Sequence, residues 1–225
     1  MREMNGIIIL DKPAGITSAT AVNRVKRLLP GKRKIGHAGT LDSFATGVLL
    51  LLVGDSTKRC EELMGQRKVY RTTVKLGATT ATDDPLSPEV GSASAEQPAR
   101  AAVECALQRF IGSIQQRPPA FSALKVAGKR ASDRVRAGEA IELTPRTVQI
   151  HRIELFRYEY PMLELEIECG RGTYIRSLAR DLGEMLGTGG YLIELRRTRI
   201  GDFTIEDAVT IETLEREGVA TNLRT

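Results

Sequence analysis

The alternation of apolar and polar residues predicts half-buried strands along the chain. Residues 163–169 show this most clearly, because Leu, Leu, Ile and Cys there alternate with three glutamates. A strand with this pattern turns its apolar side chains into a core and its charged side chains toward water. Val69–Leu76 alternates in the same way and has Tyr70 on one face. Further strands are expected at Ile7–Leu10, Val48–Val53, Val148–Phe156 and Tyr191–Leu195.

Apolar residues three or four positions apart predict four helices. Thr17 or Ser18 is expected to cap the first helix, which Pro30-Gly31 ends. Ser94–Gln97 has the form of a capping box before a second helix. Thr173 is expected to cap a third, with an apolar stripe at positions 175, 178, 182 and 185. A fourth, short helix is expected close to the end of the chain.

Three stretches lack either periodicity and are rich in glycine, proline or polar residues. Lys32–Gly47 and Gly77–Ala95 are therefore expected to be loops, and Gly112–Gly138 to be an extended, exposed insertion. The predicted strands and helices alternate without the strict order of parallel α/β folds. This irregular order favours an α+β fold with a mixed sheet.

The composition is that of a folded protein, because 41% of the 225 residues are hydrophobic and 27% are charged. The longest apolar run, Val48–Val53, is far too short to cross a bilayer. The apolar run near the amino terminus is also too short for a signal peptide. We therefore expect a cytoplasmic protein that has no association with a membrane.

The cysteines Cys60, Cys105 and Cys169 are far apart and odd in number, which argues against a disulfide framework. His37 and His151 are the two histidines, so the sequence offers no zinc-ligand pattern. We expect buried free thiols in a reducing compartment, and no metal site.

Basic residues are concentrated in two segments of a chain whose net charge is only +5. Residues 1–40 contain eight Lys or Arg and two acidic residues, and residues 117–136 contain six and one. Together they could form one electropositive face for a phosphate backbone, or they could be two solvated surfaces with no partner. Aromatic residues make up only 4%, which argues against a long stacking platform for single strands.

The loop Gly36–Gly47 contains three glycines, His37 and a single carboxylate, Asp42, directly before a buried strand. Glycine lets a backbone approach a ligand closely, and loops on rigid strands often carry catalytic groups. The same pattern also fits a tight structural loop in which Asp42 is a cap and His37 an ordinary polar residue. A Walker-type phosphate loop is excluded, because no Gly-Lys-Ser/Thr ends the stretch.

Gly170–Arg176 is the second candidate stretch, because it places Tyr174 and Arg176 in the first turn of a predicted helix. A cation there opposes the helix dipole. Arg176 is therefore better explained if it meets a carboxylate or a phosphate. The alternative is an ordinary surface arginine.

Several motifs in a fixed order together resemble the TruB family of tRNA pseudouridine-55 synthases, over about residues 5–200. They are Asn5-Gly6 with Asp11–Gly15, Gly36–Gly47, Lys68–Arg71, Leu76-Gly77 with Thr80, Thr82 and Asp84, Ser122–Lys125, Gly170–Arg176 and Leu195–Arg197. The resemblance implies the pseudouridine synthase fold, with a central mixed, mostly antiparallel sheet flanked by helices and RNA-binding loops. It also implies one catalytic domain over residues 1–225, with an RNA-gripping insertion near 112–138. The customary carboxy-terminal PUA domain is expected to be absent.

The resemblance assigns catalytic roles to Asp42, Tyr70 and Arg176. The implied reaction flips uridine 55 out of the tRNA T-loop, breaks its C1′–N1 bond, rotates the uracil and joins C1′ to C5. Asp42 would act as nucleophile or would remove the ribose 2′ proton. Arg176 would pair with Asp42, and Tyr70 would lie against the uracil and help remove the C5 proton. No cofactor is implied.

The resemblance also implies residues that bind the substrate. His37 would fill the space left by the flipped base, and Tyr174 and Leu195 would line the pocket. Lys12 and Pro13 would brace the catalytic loop. The basic segments at residues 24–34 and 117–136, the second of which includes Lys125, Lys129 and Arg130, would contact the T-arm phosphates. The expected partner is the tRNA T-arm alone, bound by a monomer without an obligatory protein partner.

Two alternatives remain open from the sequence. The chain could be a synthase of the same fold that acts on another RNA uridine, including the guide-RNA-dependent type that modifies rRNA. It could also be an RNA-binding protein that has lost catalysis. The presence of Asp42, Tyr70 and Arg176 together argues against that loss, because binding alone would not require all three.

Overall fold

A computed structural model describes residues 4–92, 96–122, 124–126, 128–139, 141 and 143–224. The chain divides into two compact units. The first unit comprises residues 1–71 and 195–225, and the second unit comprises residues 72–194. No helix in the described ranges is both long and apolar enough to span a membrane.

Strands and helices are interspersed, which confirms the predicted α+β class. The strands are β1 Gly6–Lys12, β2 Ile35–Ala38, β3 Thr46–Val53, β4 Lys68–Leu76, β5 Ala78–Thr80, β6 Glu89–Gly91, β7 Gly112–Gln116, β8 Lys125–Val126, β9 Lys129–Arg130, β10 Arg146–Glu159, β11 Met162–Cys169, β12 Gly190–Ile200 and β13 Phe203–Thr204. The α-helices are α1 Ser18–Leu28, α2 Cys60–Gly65, α3 Arg100–Gln108, α4 Ala131–Arg136, α5 Ile175–Met185 and α6 Ile211–Glu217. Short 3-10 helices lie at Gly54–Arg59, Ile205–Asp207 and Ala220–Asn222. Nine of the described strands belong to one mixed sheet.

The first unit is built around β3, whose apolar run Val48–Val53 is fully buried as predicted. β1 pairs with it antiparallel from Gly6↔Val53 to Lys12↔Gly47, and β2 also pairs antiparallel. β12 runs parallel to the start of β3. Apolar side chains cover both faces, with α1 and α6 on one and α2 on the other. This double cover explains why the strand sequence is continuously hydrophobic.

The second unit is built around the long antiparallel pair β10–β11, which β7 extends on one side and β4 on the other. The alternation in β11 is confirmed, because its Leu, Leu, Ile and Cys side chains are buried. Helix α5 buries Ile175, Leu178 and Leu182, as its stripe predicts, whereas Met185 is 45% exposed.

The prediction of three loop stretches was wrong in part, because strand pairing recruits residues that have no strand pattern of their own. Lys32–Gly47 contains β2, which hydrogen-bonds along β3. Gly77–Ala95 contains the antiparallel pair β5–β6. Gly112–Gly138 is not simply extended and exposed, because it contains β7 of the main sheet, the short pair β8–β9 and α4.

Two predicted caps differ from the structure. The N-cap of α5 is Tyr174 instead of Thr173, whose hydroxyl donates to the Gly170 carbonyl at 3.2 Å. Ser94 lies outside the described residues, and α3 begins five residues later than the predicted box requires, with Ala99 as its N-cap.

The three cysteines are free, but only Cys169 is buried. Cys60 is half-buried and Cys105 is exposed, so the prediction of buried thiols was wrong for both. Cys105 lies on the solvent side of α3, whose buried side chains are Val103, Ala106 and Leu107.

Candidate active site

Asp42 lies half-buried in the loop between β2 and β3 of the first unit. Its carbonyl accepts a hydrogen bond from the Ala45 amide at 3.2 Å. Ser18, the first residue of α1, forms two hydrogen bonds with the backbone of Leu41, the residue before Asp42. Its hydroxyl donates to the Leu41 carbonyl at 3.0 Å and accepts from the Leu41 amide at 2.9 Å. The backbone on which Asp42 stands is therefore fixed to a helix.

Lys12 lies beneath the same loop and is fully buried. Its ammonium donates to the carbonyls of Pro13 at 2.7 Å, Ile16 at 2.8 Å and Ser43 at 3.4 Å. Burial lowers the pKa of Lys12 to about 8, with a smaller lowering by Arg197, while the charge of Asp42 opposes the shift. This geometry agrees with a bracing role for Lys12, whereas Pro13 is exposed and contributes its carbonyl.

Arg197 in β12 spans the two ends of the loop and is only 1% exposed. Its Nη2 and Nη1 donate to the carbonyls of Gly39 at 3.0 Å and Thr40 at 3.4 Å, before Asp42. Its Nε donates to the Val48 carbonyl at 2.8 Å, after Asp42. Arg197 is part of the motif Leu195–Arg197, but the sequence predicts no role for it. The available signal was that Arg197 shares a strand face with Leu195.

Gly47 is needed where the loop joins β3. Its φ is +103°, and a Cβ there would lie 2.2 Å from the Arg197 carbonyl oxygen. No other residue type fits this position without moving β12, because such a contact is far inside the van der Waals limit. The close approach that Gly47 permits is therefore between two strands of the protein, and the expected approach of the loop to a ligand stays a prediction.

His37 lies in β2, not in a loop, and is half-buried. Its Nδ1 is buried without a hydrogen-bond partner among the described residues. Burial lowers the pKa of His37, and the charge of Arg197 lowers it further. The imidazole is therefore mostly uncharged at neutral pH.

Tyr70 and Leu195 lie in the neighbouring strands β4 and β12, and both belong to the first unit. They are 8% and 7% exposed. The Thr198 hydroxyl donates to the Val69 carbonyl at 3.3 Å and links the two strands beside them. Five predicted residues, Lys12, His37, Asp42, Tyr70 and Leu195, thus belong to one compact unit.

Arg176 belongs to the second unit and is 3% exposed. Its Nη1 lies 3.4 Å from the Asp84 carboxylate and donates to the Thr82 carbonyl at 2.9 Å. Its Nη2 donates to the Phe121 carbonyl at 2.9 Å. Arg176 does meet a carboxylate, so it is not an ordinary surface arginine. Its expected pairing with Asp42 stays a prediction.

Asp84 is a functional candidate that sequence reasoning quoted only as part of a motif. Its side chain is 5% exposed. Its Oδ1 accepts from the Leu86 amide at 3.0 Å and from the Thr82 hydroxyl at 2.5 Å. The carboxylate is thus fixed by its own turn, and it can orient Arg176.

Tyr174 is held by two residues that sequence reasoning missed. The Gln116 amide donates to the Tyr174 carbonyl at 3.0 Å and accepts from its backbone N–H at 2.8 Å. The Arg146 guanidinium lies 4.9 Å from the centre of the Tyr174 ring, in a cation–π arrangement. Both partners are distant in sequence, so no local signal identified them.

A second, half-buried ion pair adjoins the Asp84 turn. Asp83 has a φ of +57°, and its carboxylate accepts from Arg180 at 3.0 Å. Burial raises the pKa of Asp83, against the charges of Arg180 and Arg176. Asp83 and Arg180 line a cavity of ≈ 510 Å³ in the second unit, together with Ala81, Arg117, Pro118 and Leu143.

The predicted RNA-gripping residues Lys125, Lys129 and Arg130 lie in β8 and β9, where Lys125 pairs with Arg130. Their side chains lie outside the described part of the structure. Their contact with RNA therefore stays a prediction.

Comparison with known proteins assigns the chain to a family. Residues 26–175 match the TruB family pseudouridylate synthase (N terminal domain), and residues 176–224 match the tRNA pseudouridylate synthase B C-terminal domain. A tRNA pseudouridine synthase B of Corynebacterium diphtheriae is 46% identical, over 94% of this chain and 72% of that protein. One of Phocaeicola vulgatus is also 46% identical, over 92% of this chain and 90% of that protein.

Solved structures share the fold. A chain in a crystal structure of a Cbf5-Nop10-Gar1 complex superposes with a TM-score of 0.72 and 29% identity, covering 95% of this chain. The match covers 56% of that chain, so the present protein spans little more than half of its length. The nine-stranded mixed sheet is thus the one found in pseudouridine synthases. Sequence, fold and the architecture of the Asp42 loop agree: the chain belongs to the TruB family of pseudouridylate synthases, which are isomerases that act on RNA.

Proposed function

We propose that this enzyme converts uridine 55 in the T-loop of tRNA to pseudouridine. The observation that carries the proposal is the Asp42 loop, which Ser18, Lys12 and Arg197 hold from three elements. The relatives named tRNA pseudouridine synthase B are about 45% identical, whereas the Cbf5 structure is 29% identical. This difference supports a tRNA substrate over an RNA selected by a guide.

Asp42 begins the proposed reaction on the flipped uridine. It attacks the nucleoside or removes the ribose 2′ proton, and the C1′–N1 bond breaks. The uracil rotates and C1′ bonds to C5. The C5 proton leaves with the help of Tyr70 while N1 takes up a proton, so that no net proton is gained or lost. Product and substrate are isomers, so the overall balance needs no second substrate.

Arg176 is proposed to pair with Asp42 during this reaction. Its guanidinium is already fixed by Asp84 and by two carbonyls in the second unit. A guanidinium that is fixed in advance loses little freedom when it binds a carboxylate.

The RNA is proposed to be held by residues around this site. His37 fills the space of the flipped base, and Tyr174 and Leu195 line the pocket. An uncharged imidazole suits this place, because it can stack against bases without losing the hydration of a charge. The segments 24–34 and 117–136 contact the T-arm phosphates. A monomer acting in the cytoplasm suffices for all of these contacts.

The proposal is tested by tritium release from tRNA labelled at C5 of uracil. Wild type should release tritium, while Asp42→Asn should release almost none, because the amide is neither nucleophile nor base. Asp55→Asn is a matched control, because Asp55 is an exposed carboxylate of the same unit and pairs with Lys58. It should behave as wild type.

Three results would contradict this proposal. Equal release by wild type and Asp42→Asn would remove Asp42 from the chemistry. Undiminished release from a tRNA with cytidine at position 55 would show another target. Binding without any release by wild type would favour the RNA-binding alternative.

A further inference from the structure

We infer that Arg197 is a positioning residue for catalysis, which holds the Asp42 loop closed by bonding both of its ends with one guanidinium. The inference rests on the proposed function, because it concerns the same carboxylate. Arg197 itself reaches Asp42 only through the backbone. It is therefore distinct from the groups proposed to touch the substrate.

The geometry requires a planar, branched donor. Gly39 and Thr40 precede Asp42, and Val48 follows it. The terminal nitrogens of Arg197 donate to the carbonyls of Gly39 and Thr40, and its Nε donates to the Val48 carbonyl. Arg197 bonds these carbonyls through three separate nitrogens, whereas a lysine carries all its donors on one atom, so a lysine at this position is not expected to reach all three.

The burial of Arg197 makes the guanidinium favour one conformation of the Asp42 loop. Arg197 is 1% exposed, and the carbonyls of Gly39, Thr40 and Val48 that accept from it are neutral. A buried cation is costly unless its donors are satisfied, so the guanidinium favours the one loop conformation that supplies them. Gly47 lets the β12 backbone approach close enough for this reach.

Other contacts do not replace this link. Ser18 holds Leu41, and Lys12 reaches Ser43, both within the loop. Among the described side-chain contacts, Arg197 is the one that joins residues before Asp42 to the strand after it. Because β2 stays paired with β3 up to Ala38↔Leu50, the loss of Arg197 should loosen residues 39–45 while the core of the first unit remains packed.

The test compares wild type with Arg197→Lys, which preserves the charge. We expect kcat for tritium release to fall about 100-fold, as misplacement of a catalytic group by about 1 Å does. The KM for tRNA should stay nearly unchanged, because ground-state binding is not affected. Arg59→Lys is the matched control, since Arg59 is an exposed arginine of the same unit that pairs with Glu62. It should keep the wild-type kcat.

Amide hydrogen exchange separates positioning from general stability. In Arg197→Lys, the Leu41 and Ala45 amides should exchange at least about 10-fold faster, while Leu50 in β3 keeps its rate. Unchanged kcat would overturn the inference, and so would a uniform rise in exchange across β3 and the loop.

Two further outcomes remain decisive. If Arg197→Lys does not fold, the amide hydrogen exchange of the wild-type protein tests the inference. Leu41 and Ala45 should then exchange as slowly as Leu50, and rapid local exchange would overturn the inference. If wild type releases no tritium, the proposed function fails, while the exchange data still show whether Arg197 closes the loop.

Discussion

At the scale of single residues, Lys12 combines a charge with complete burial. Three carbonyls and the nearby Asp42 make this possible, but burial still lowers its pKa to about 8. In the unfolded chain the pKa returns to about 10.5. Lys12 therefore links the stability of the loop to pH.

This linkage has a definite sign. Between pH 8 and 10.5 the unfolded chain binds more protons than the folded chain, so the free energy of unfolding rises with pH. The gain is at most about 3.4 kcal/mol, from about 1.36 kcal/mol per pKa unit. Urea unfolding of wild type and Lys12→Met across this range measures it. The rise should be missing from Lys12→Met, and equal slopes would contradict the assignment.

The residues to which the sequence assigned a catalytic role are those that stand in a local motif, and their roles stay predictions. Asp42 follows Gly39 in a recognisable loop, and Arg176 follows Gly172. Arg197, Gln116 and Asp84 received no role, because each acts on residues from another element. Contacts between elements that are distant in sequence cannot be predicted from residue spacing before the fold is known.

At the scale of elements, helix α5 depends on a cap that comes from β7. Its first N–H groups have no side-chain cap of their own. Gln116 makes paired hydrogen bonds with the Tyr174 backbone instead. This distant cap explains why Thr173 does not take the position that its sequence context suggests.

Removing this cap should destabilise the protein. Gln116 is 1% exposed, and Gln116→Ala removes the acceptor of the half-buried Tyr174 N–H, while the Tyr174 carbonyl keeps its bond from the Leu178 amide. The change should cost about 1–3 kcal/mol. Gln115→Ala is the matched control, because Gln115 is exposed and bonds to the Thr147 hydroxyl. It should cost about 0.5 kcal/mol or less. Chemical unfolding measures both, and equal losses would contradict the capping role.

Elements with strong periodicity were predicted well, because burial alone determines their pattern. β3, β11 and α5 are examples. The short strands β2 and β5 were missed, because their conformation depends on hydrogen bonds to a partner strand. Four or fewer residues carry too little pattern to show this.

At the scale of the whole molecule, the weak net charge of +5 conceals a strongly basic stretch at residues 117–136. Lys129→Ala and Arg130→Ala should each weaken tRNA binding and reduce the salt dependence by about one phosphate contact. Arg152→Ala is a suitable control, since Arg152 is paired with Glu154 and Glu166. Affinity measured over a series of salt concentrations gives the slopes. An unchanged slope in both variants would place the stretch outside the RNA interface.

The junction of Gly47 with Arg197 also has a consequence for the order of synthesis. These residues are neighbours in space but 150 positions apart in sequence. A ribosome therefore completes the helix and strands around Asp42 long before it delivers the strand that closes the loop. Nascent chains that end before residue 197 lack this closure, however well their amino-terminal part has folded. The carboxylate is thus brought into its working position only after the strand that contains residue 197 has been synthesised.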